Sequence, residues 1–318
     1  MKYVGIHQQQ STNNAKTTLL LIMFPVLLLG LTWVFCAAIN YLESYDPEDY
    51  SVVYPGPGEM FLSYAPFVIG GMVLWFIIAY AFNTWMISSA TGSKPLERRE
   101  NKRVYNLVEN LCMAQGLPMP KINVIEDSSL NAFASGINKK SYTVTLSRGA
   151  IDRLDDAELE GVIAHELTHI RNRDVRLLIV SIIFVGIFSF IAQFAIRAMF
   201  APRRSSRSSK NSGGAILVLL FIAVLAAIGY LFSLLLRFAI SRKREFMADA
   251  GGAEMTKNPL ALAMALRKIS ADSEIESITR KDVAQLFIEH PLSKKGGTSN
   301  LFATHPPIQE RIRILEQF

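Results

Sequence analysis

The hydrophobic pattern divides the chain before any single residue is weighed. Four long runs carry no charged residue: one opening with "LLLIMFPVLLLGLTWVFCAAIN" at Leu19, one over residues 61–86, one over 177–196 and one over 215–236. A bilayer-crossing helix needs about 20 apolar residues. Four uninterrupted runs of this length therefore predict four transmembrane helices rather than buried core helices. The first run exceeds the apolar stretch of a signal peptide. Lys16 is its only nearby positive charge, and Phe35 before Cys36 is too large for a lipoprotein cleavage site, so it reads as an uncleaved anchor.

Between and after these runs the pattern changes period. Apolar Leu96, Val104, Leu107, Val108 and Leu111 predict a helix that ends near Gly116 and Pro118. "KINVIED" and "SYTVTLS" alternate as short strands, with "SLNAFASGINKK" between them as a strand and turn. "DRLDDAELEGVIAHELTHIRNRD" reads as a helix capped by Asp155 or Asp156. Helical patterns return at "KREFMADAGGAEM", "PLALAMALRKIS", "KDVAQLFIEH" and "PPIQERIRILEQF". The predicted class is α+β: a small polar domain interrupted by a membrane hairpin. Its pieces are a tail with helices one and two (1–93), the first part of the polar domain (94–176), a hairpin with a Ser/Gly-rich basic connector (177–240), and the second part of the domain (241–318).

Charge supplies the orientation. The segment between the first two spans carries Glu43, Asp46, Glu48, Asp49 and Glu59 with no Lys or Arg, whereas Lys94, Arg98, Arg99, Lys102 and Arg103 follow the second. Arg171, Arg173 and Arg176 precede the third span, and Arg237, Arg242, Lys243 and Arg244 follow the fourth. Basic flanks stay in the cytoplasm, which predicts a cytoplasmic polar domain. The connector, with Arg203, Arg204, Arg207 and Lys210, runs against the rule if the hairpin crosses fully. The net charge of +6 thus reflects membrane flanks, so the bilayer is an expected partner and nucleic acid is not. Two cysteines, Cys36 and Cys112, cannot supply a disulfide framework or a thiolate zinc site. The spans hold no ionisable residue, which argues against a transporter.

Candidate chemistry lies in "AHELTHIRNRDV". His165 and His169 stand four apart, which places both on one helical face. Glu166 between them is the general base for zinc-bound water in metalloproteases of this pattern; the bland reading is a helix with two surface histidines. A catalytic zinc takes three protein ligands, and Glu245 in "REFMADA" is the candidate third. Asp249, one turn further, could hold the far nitrogen of a ligand histidine. His169 precedes Leu177 by about 12 Å of helix and Glu245 follows Leu236 by about 14 Å. A hairpin would bring both ligand sets to the same side of the bilayer.

With "NAFASG", "HELTH" before a hairpin, "REFMADA" and a late "HPP" in this order, the chain resembles the M48 group of membrane-bound zinc metalloproteases. The resemblance covers most of the chain. It implies one zinc ion per chain, held by His165, His169 and Glu245, with Glu166 as catalytic base. It implies a gluzincin-like fold, a bacterial inner-membrane setting and damaged or misfolded membrane proteins as substrates. It further implies that Asn131, Ala132, Phe133 and Ala134 form an edge strand to which peptide substrates add, and that His305 or Arg311 holds the oxyanion of the tetrahedral intermediate. Self-association into a homo-oligomer is compatible with it. The acidic loop and the polar N-terminus "MKYVGIHQQQSTNNAK" are longer than the usual pattern. The rival reading is a membrane scaffold with a structural zinc site closed by a fourth side chain.

Overall fold

The structure is a computed structural model, and it describes residues 6–43, 55–200, 212–275, 286–289 and 306–318. The chain divides into two units. One combines residues 1–17, 82–180 and 237–318; the other combines 18–81 and 181–236.

The first unit is built on four strands, β1 (Lys94–Pro95), β2 (Lys121–Ile125), β3 (Ala132–Ser135) and β4 (Thr143–Ser147), in the order β1-β2-β4-β3. β2 and β4 run parallel, with Ile122 opposite Val144 and Val124 opposite Leu146. β3 returns antiparallel to β4, Phe133 opposite Thr145, and forms one edge. All residues of β3 and β4 are buried, as a sheet covered on both faces requires. The helices of this unit are α3 (Lys102–Gln115), α4 (Arg148–Arg153), α5 (Asp156–Arg171), α8 (Pro259–Ala271) and α9 (Ile308–Leu315). α5 packs on β3, α3 and α8, and α8 packs on α9.

The second unit is formed by parts of four long helices: α1 (Ile6–Glu43), α2 (Pro57–Thr91), α6 (Asp174–Phe200) and α7 (Ser212–Thr256). Phe24 of α1 stacks on Phe184 of α6 with ring centroids 4.1 Å apart. The Trp75 indole N–H donates to the Ile183 carbonyl at 3.4 Å. Large apolar side chains of α2, among them Leu62, Phe67 and Leu74, are exposed; that outward apolar surface suits lipid. Among the described residues three helices are long and apolar enough to cross a membrane, over Gln8–Tyr41, Pro57–Thr91 and Asp174–Phe200. The fourth predicted span falls within α7, where the apolar stretch Val218–Leu231 lies among the described residues.

Three local expectations are corrected. Lys94–Pro95 and Leu96 lie outside helix: Lys94–Pro95 pairs as a strand with β2, and α3 begins only after its Asn101 cap. A residue before proline disfavours the helical region, and Asn101 accepts from the Val104 amide to start the helix later. The stretch from Asp152 is two helices, because α4 ends at Leu154 and Asp155 restarts the chain as the cap of α5. Of the predicted helix "KDVAQLFIEH", residues 281–285 and 290 lie outside the described residues, and 286–289 are not helical: they form a turn and bend with Phe287 bridged antiparallel to Phe133. There the Ile288 amide donates to the Ala132 carbonyl at 2.8 Å, and the two phenylalanine rings lie 4.6 Å apart. An unpaired strand edge and a buried aromatic contact outweigh the local helical period.

Candidate metal centre

α5 owes its start to local chemistry. The Asp155 carboxylate accepts from the Glu158 amide at 2.8 Å, and the Glu158 carboxylate accepts from the Asp155 amide at 3.0 Å, a reciprocal capping box. Leu159, Val162, Ile163 and Leu167 bury one face. His165, Glu166 and His169 follow on the buried turns that continue from it.

Glu245 arrives from α7, and its approach depends on two glycines. A Cβ on Gly251 would lie 2.4 Å from Thr168 Cγ2, and one on Gly252 would lie 3.2 Å from the His165 backbone nitrogen. Any larger residue at position 251 would have to push α7 away from α5.

The three predicted ligands meet. Nε2 of His165 and Nε2 of His169 are 3.2 Å apart, and Glu245 Oε2 and Oε1 lie 3.7 Å from each in turn. For a tetrahedral zinc with bonds near 2.0–2.1 Å, adjacent ligand atoms stand about 3.3 Å apart. The donor set fits zinc in type and in spacing. The groups are buried: His165 is 0 % exposed, Glu166 2 % and Glu245 4 %.

Each histidine is held from behind by a carboxylate. Asp249 Oδ1 lies 3.0 Å from His165 Nδ1, with the ring N–H direction off the line between them. Asp174 Oδ2 lies 3.0 Å from His169 Nδ1. Asp249 is in turn gripped by Arg311, whose Nε and Nη2 donate to its two oxygens at 2.9 and 2.7 Å. Arg311 is fully buried, its Nη1 donates to the Ile288 carbonyl at 3.0 Å, and its Nη2 comes to 3.5 Å from His165 Nε2.

The electrostatics favour positive charge between these groups. Burial pulls both imidazoles towards neutrality, but the carboxylates overcome it. His165 is raised by Asp249 and Glu245, and His169 is pushed up to about 10 by Glu245 and Asp174. Burial raises the Glu166 carboxyl above its ordinary value, against the opposing pull of the two histidines and a hydrogen bond from the Ala134 backbone. Asp249 is held low: burial opposes its charge, and the Arg311 guanidinium more than offsets that. A cavity of about 20 Å³ beside these groups is lined by Ala134, Glu166, His169, Glu245, Phe287 and Ile288, room for about one water.

The remaining predicted residues fall in two groups. Ala132 to Ala134 sit on β3 and Asn131 immediately precedes it, with its side chain occupied internally, donating to the Ser273 and Glu289 carbonyls, both at 2.9 Å. Phe133 is fully buried against Phe287. His305 lies outside the described residues, as does His290. The sequence reading missed Asp174, whose only signal was its place five residues after His169. Gly251 and Gly252 gave no signal of their own within the helical "KREFMADAGGAEM". The sequence reading also missed the bond from Asn13 to Asp174, which no local pattern announces.

Residues 98–318 match the model of peptidase family M48. The chain is 61% identical to a Protease HtpX homolog of Bacteroides fragilis, with 100% of both chains covered. It is 37% identical to a Protease HtpX homolog of Dictyoglomus thermophilum, covering 99% of this chain and 95% of the relative. The crystal structure of S. mikatae Ste24p superposes with a TM-score of 0.46 at 19% identity, covering 93% of this chain and 66% of that one.

Proposed function

Because this chain belongs to peptidase family M48, whose members among its relatives are membrane metalloproteases, we propose that it is a zinc-dependent endopeptidase with a gluzincin-like catalytic unit. We assign it to the cytoplasmic face of a bacterial inner membrane, acting on misfolded or damaged membrane proteins. The observation that carries the reading is the triangle of His165, His169 and Glu245 donor atoms at tetrahedral spacing, with buried Glu166 on the same helix.

Zinc bound there would polarise a scissile carbonyl and make a water acidic enough to attack near neutral pH. Glu166 takes the proton from that water and hands it to the leaving amine. Its burial suits both steps, since a carboxyl with a raised pKa holds a proton more readily once it has accepted one. Asp174 keeps His169 in one tautomer, and Asp249 lies close to His165 Nδ1 on the side away from the site. His305 and Arg311 are the donors proposed for the oxyanion, and Arg311 Nη1 meets that role only after giving up the Ile288 carbonyl. The β3 edge at Ala132 to Ala134 is the strand to which a peptide would add, with low sequence selectivity because backbone groups do the binding. Phe287 and Ile288 share that edge, so a substrate must displace or pass them.

The cytoplasmic assignment rests on the basic residues flanking the spans. A structural zinc site would need a fourth side chain on the metal. Asp249 instead faces His165 Nδ1 and Arg311, and Asp174 faces His169 Nδ1, which favours the enzyme.

The test compares detergent-purified wild type with Glu166→Gln for bound zinc and for cleavage of an unfolded casein-like protein. Equal zinc is expected, with cleavage lower by about 10²- to 10⁴-fold in the variant. Undiminished cleavage by Glu166→Gln would remove the residue from the chemistry, and a wild type that takes up no zinc would remove the metal centre.

A further inference from the structure

The metal centre has an attachment that the reaction does not explain. The polar N-terminal segment, ahead of the first apolar run, is docked onto the end of α5. Gln9, Asn13 and Thr17 are buried although all three are polar. Buried polar side chains require partners; Thr17 finds its own in the Asn13 carbonyl of the same helix, whereas the partners of Asn13 lie at the exit of the ligand helix.

A helix leaves its last carbonyls without partners inside the helix. At the end of α5 the chain has little room to supply them, because Arg173 turns with φ 62° and α6 starts at Asp174. The N-terminal segment supplies donors instead. Gln10 Nε2 donates to the Arg171 carbonyl at 2.7 Å, and Asn13 Nδ2 donates to the Asn172 carbonyl at 2.9 Å. The same Asn13 Nδ2 donates to Asp174 Oδ1 at 2.6 Å, while the other oxygen of that carboxylate faces His169 Nδ1 at 3.0 Å. An amide nitrogen carries two hydrogens; here one reaches a backbone carbonyl and the other the carboxylate that holds a ligand histidine.

We propose that Asn13 is a positioning residue of the metal centre. Acting through Asp174, it fixes the orientation of the His169 ring, so the N-terminal segment completes the support of the metal site. The proposal rests on the zinc-site reading above. The chemistry is specific. A buried carboxylate with one unmatched oxygen turns to find a donor, and turning Asp174 would carry the hydrogen-bond direction away from His169. Asn13 matches that oxygen with a neutral donor, so Asp174 stays aimed at His169.

The experiment uses the full-length chain in detergent, reading zinc affinity by chelator competition and the visible absorption of the cobalt(II)-loaded protein. Asn13→Ala should weaken zinc about 10- to 100-fold and shift the cobalt bands. Asn13→Asp, which sets a second carboxylate against Asp174, should weaken it further. In an Asp174→Ala background the step Asn13→Ala should add nothing, because the two residues then share no bond. Gln10→Ala loosens the segment without touching Asp174 and should keep the wild-type cobalt spectrum. Unchanged zinc affinity in Asn13→Ala overturns the proposal. So does an equal loss in Gln10→Ala or in the Asp174→Ala background, since either marks general loosening. If Asn13→Ala does not fold, the paired swap of Asn13→Asp with Asp174→Asn decides. It restores an amide–carboxylate bond and must bind zinc more tightly than Asn13→Asp alone. Wild type without zinc would overturn the metal-centre reading itself, whereas zinc in wild type with an unaltered Asn13→Ala affinity overturns only this inference.

Discussion

His165 and His169 leave the same helix four residues apart and point at the same space, but the regions that hold them have opposite characters. Behind His165 stand Asp249 and Arg311, a fully buried ion pair drawn from α7 and the C-terminal α9. Behind His169 stand Asp174, on the turn that follows α5, and the neutral amide of Asn13 from the N-terminal end. The first region satisfies a buried carboxylate with a charge, the second with a dipole. A charge pair in a dry interior is costly to break; an amide–carboxylate bond is cheaper to rearrange. The His165 side therefore reads as the rigid anchor of the site, and the His169 side, where the ring is also slightly open to solvent, as the adjustable one.

The comparison breaks most severely at Arg311. Arg311→Leu leaves Asp249 buried without its counter-charge, a loss of about 3–5 kcal/mol for one partner of a buried pair. It also releases the Ile288 carbonyl. Thermal unfolding in detergent should show the loss, together with zinc uptake falling well below that of wild type. Stability close to wild type would mean that Asp249 has another partner, and the two sides would then be alike.

A middle effect is expected at Gly251. Gly251→Ala places a methyl 2.4 Å from Thr168 Cγ2 and 2.9 Å from an Arg171 nitrogen. Arg171 has a flexible side chain and can move; Thr168 is fully buried and cannot easily do so. The strain should cost about 1–3 kcal/mol. It should weaken zinc through Glu245, which rides on α7, while the bonds behind His169 stay intact. Zinc binding as tight as wild type would show that α7 can shift without carrying Glu245 off the metal.

How much of this was visible in the sequence follows the range of each interaction. The first three long apolar runs, the α5 cap, β2 and β4 are local patterns, and they appear where the sequence pattern put them. His165, Glu166 and His169 were legible because their spacing on one helix is the chemistry; Glu245, on another helix, was a candidate from "REFMADA" that only the family resemblance made a ligand. Asn13 was not legible, since its partner Asp174 lies 161 positions away and its own surroundings read as a polar tail. Residues 286–289 misled for the opposite reason. Their local period is helical, but an open strand edge at Ala132 and a phenylalanine ring at 133 offered more than the helix could. Gly251 and Gly252 passed unmarked within a helical pattern, because the sequence carries no sign of the neighbour that needs them small.

The smallest effect separates the two supports from the helix that carries both ligands. Asp155 caps α5 at the end remote from the histidines, and it touches neither Asp249 nor Asp174. Asp155→Ala should cost about 1 kcal/mol of stability, the usual value of a lost N-cap. The end of α5 that bears His165 and His169 stays fixed by Asp249, Asp174, Gly251 and the N-terminal segment, so fraying at the far end should not reach it. Zinc affinity measured by chelator competition is then expected to match wild type while the unfolding temperature falls. A parallel drop in zinc affinity would mean that α5 transmits a loss at its start to its last turns. The ligand geometry would then belong to the helix as a whole, and the contrast between a rigid His165 and an adjustable His169 would lose its physical basis.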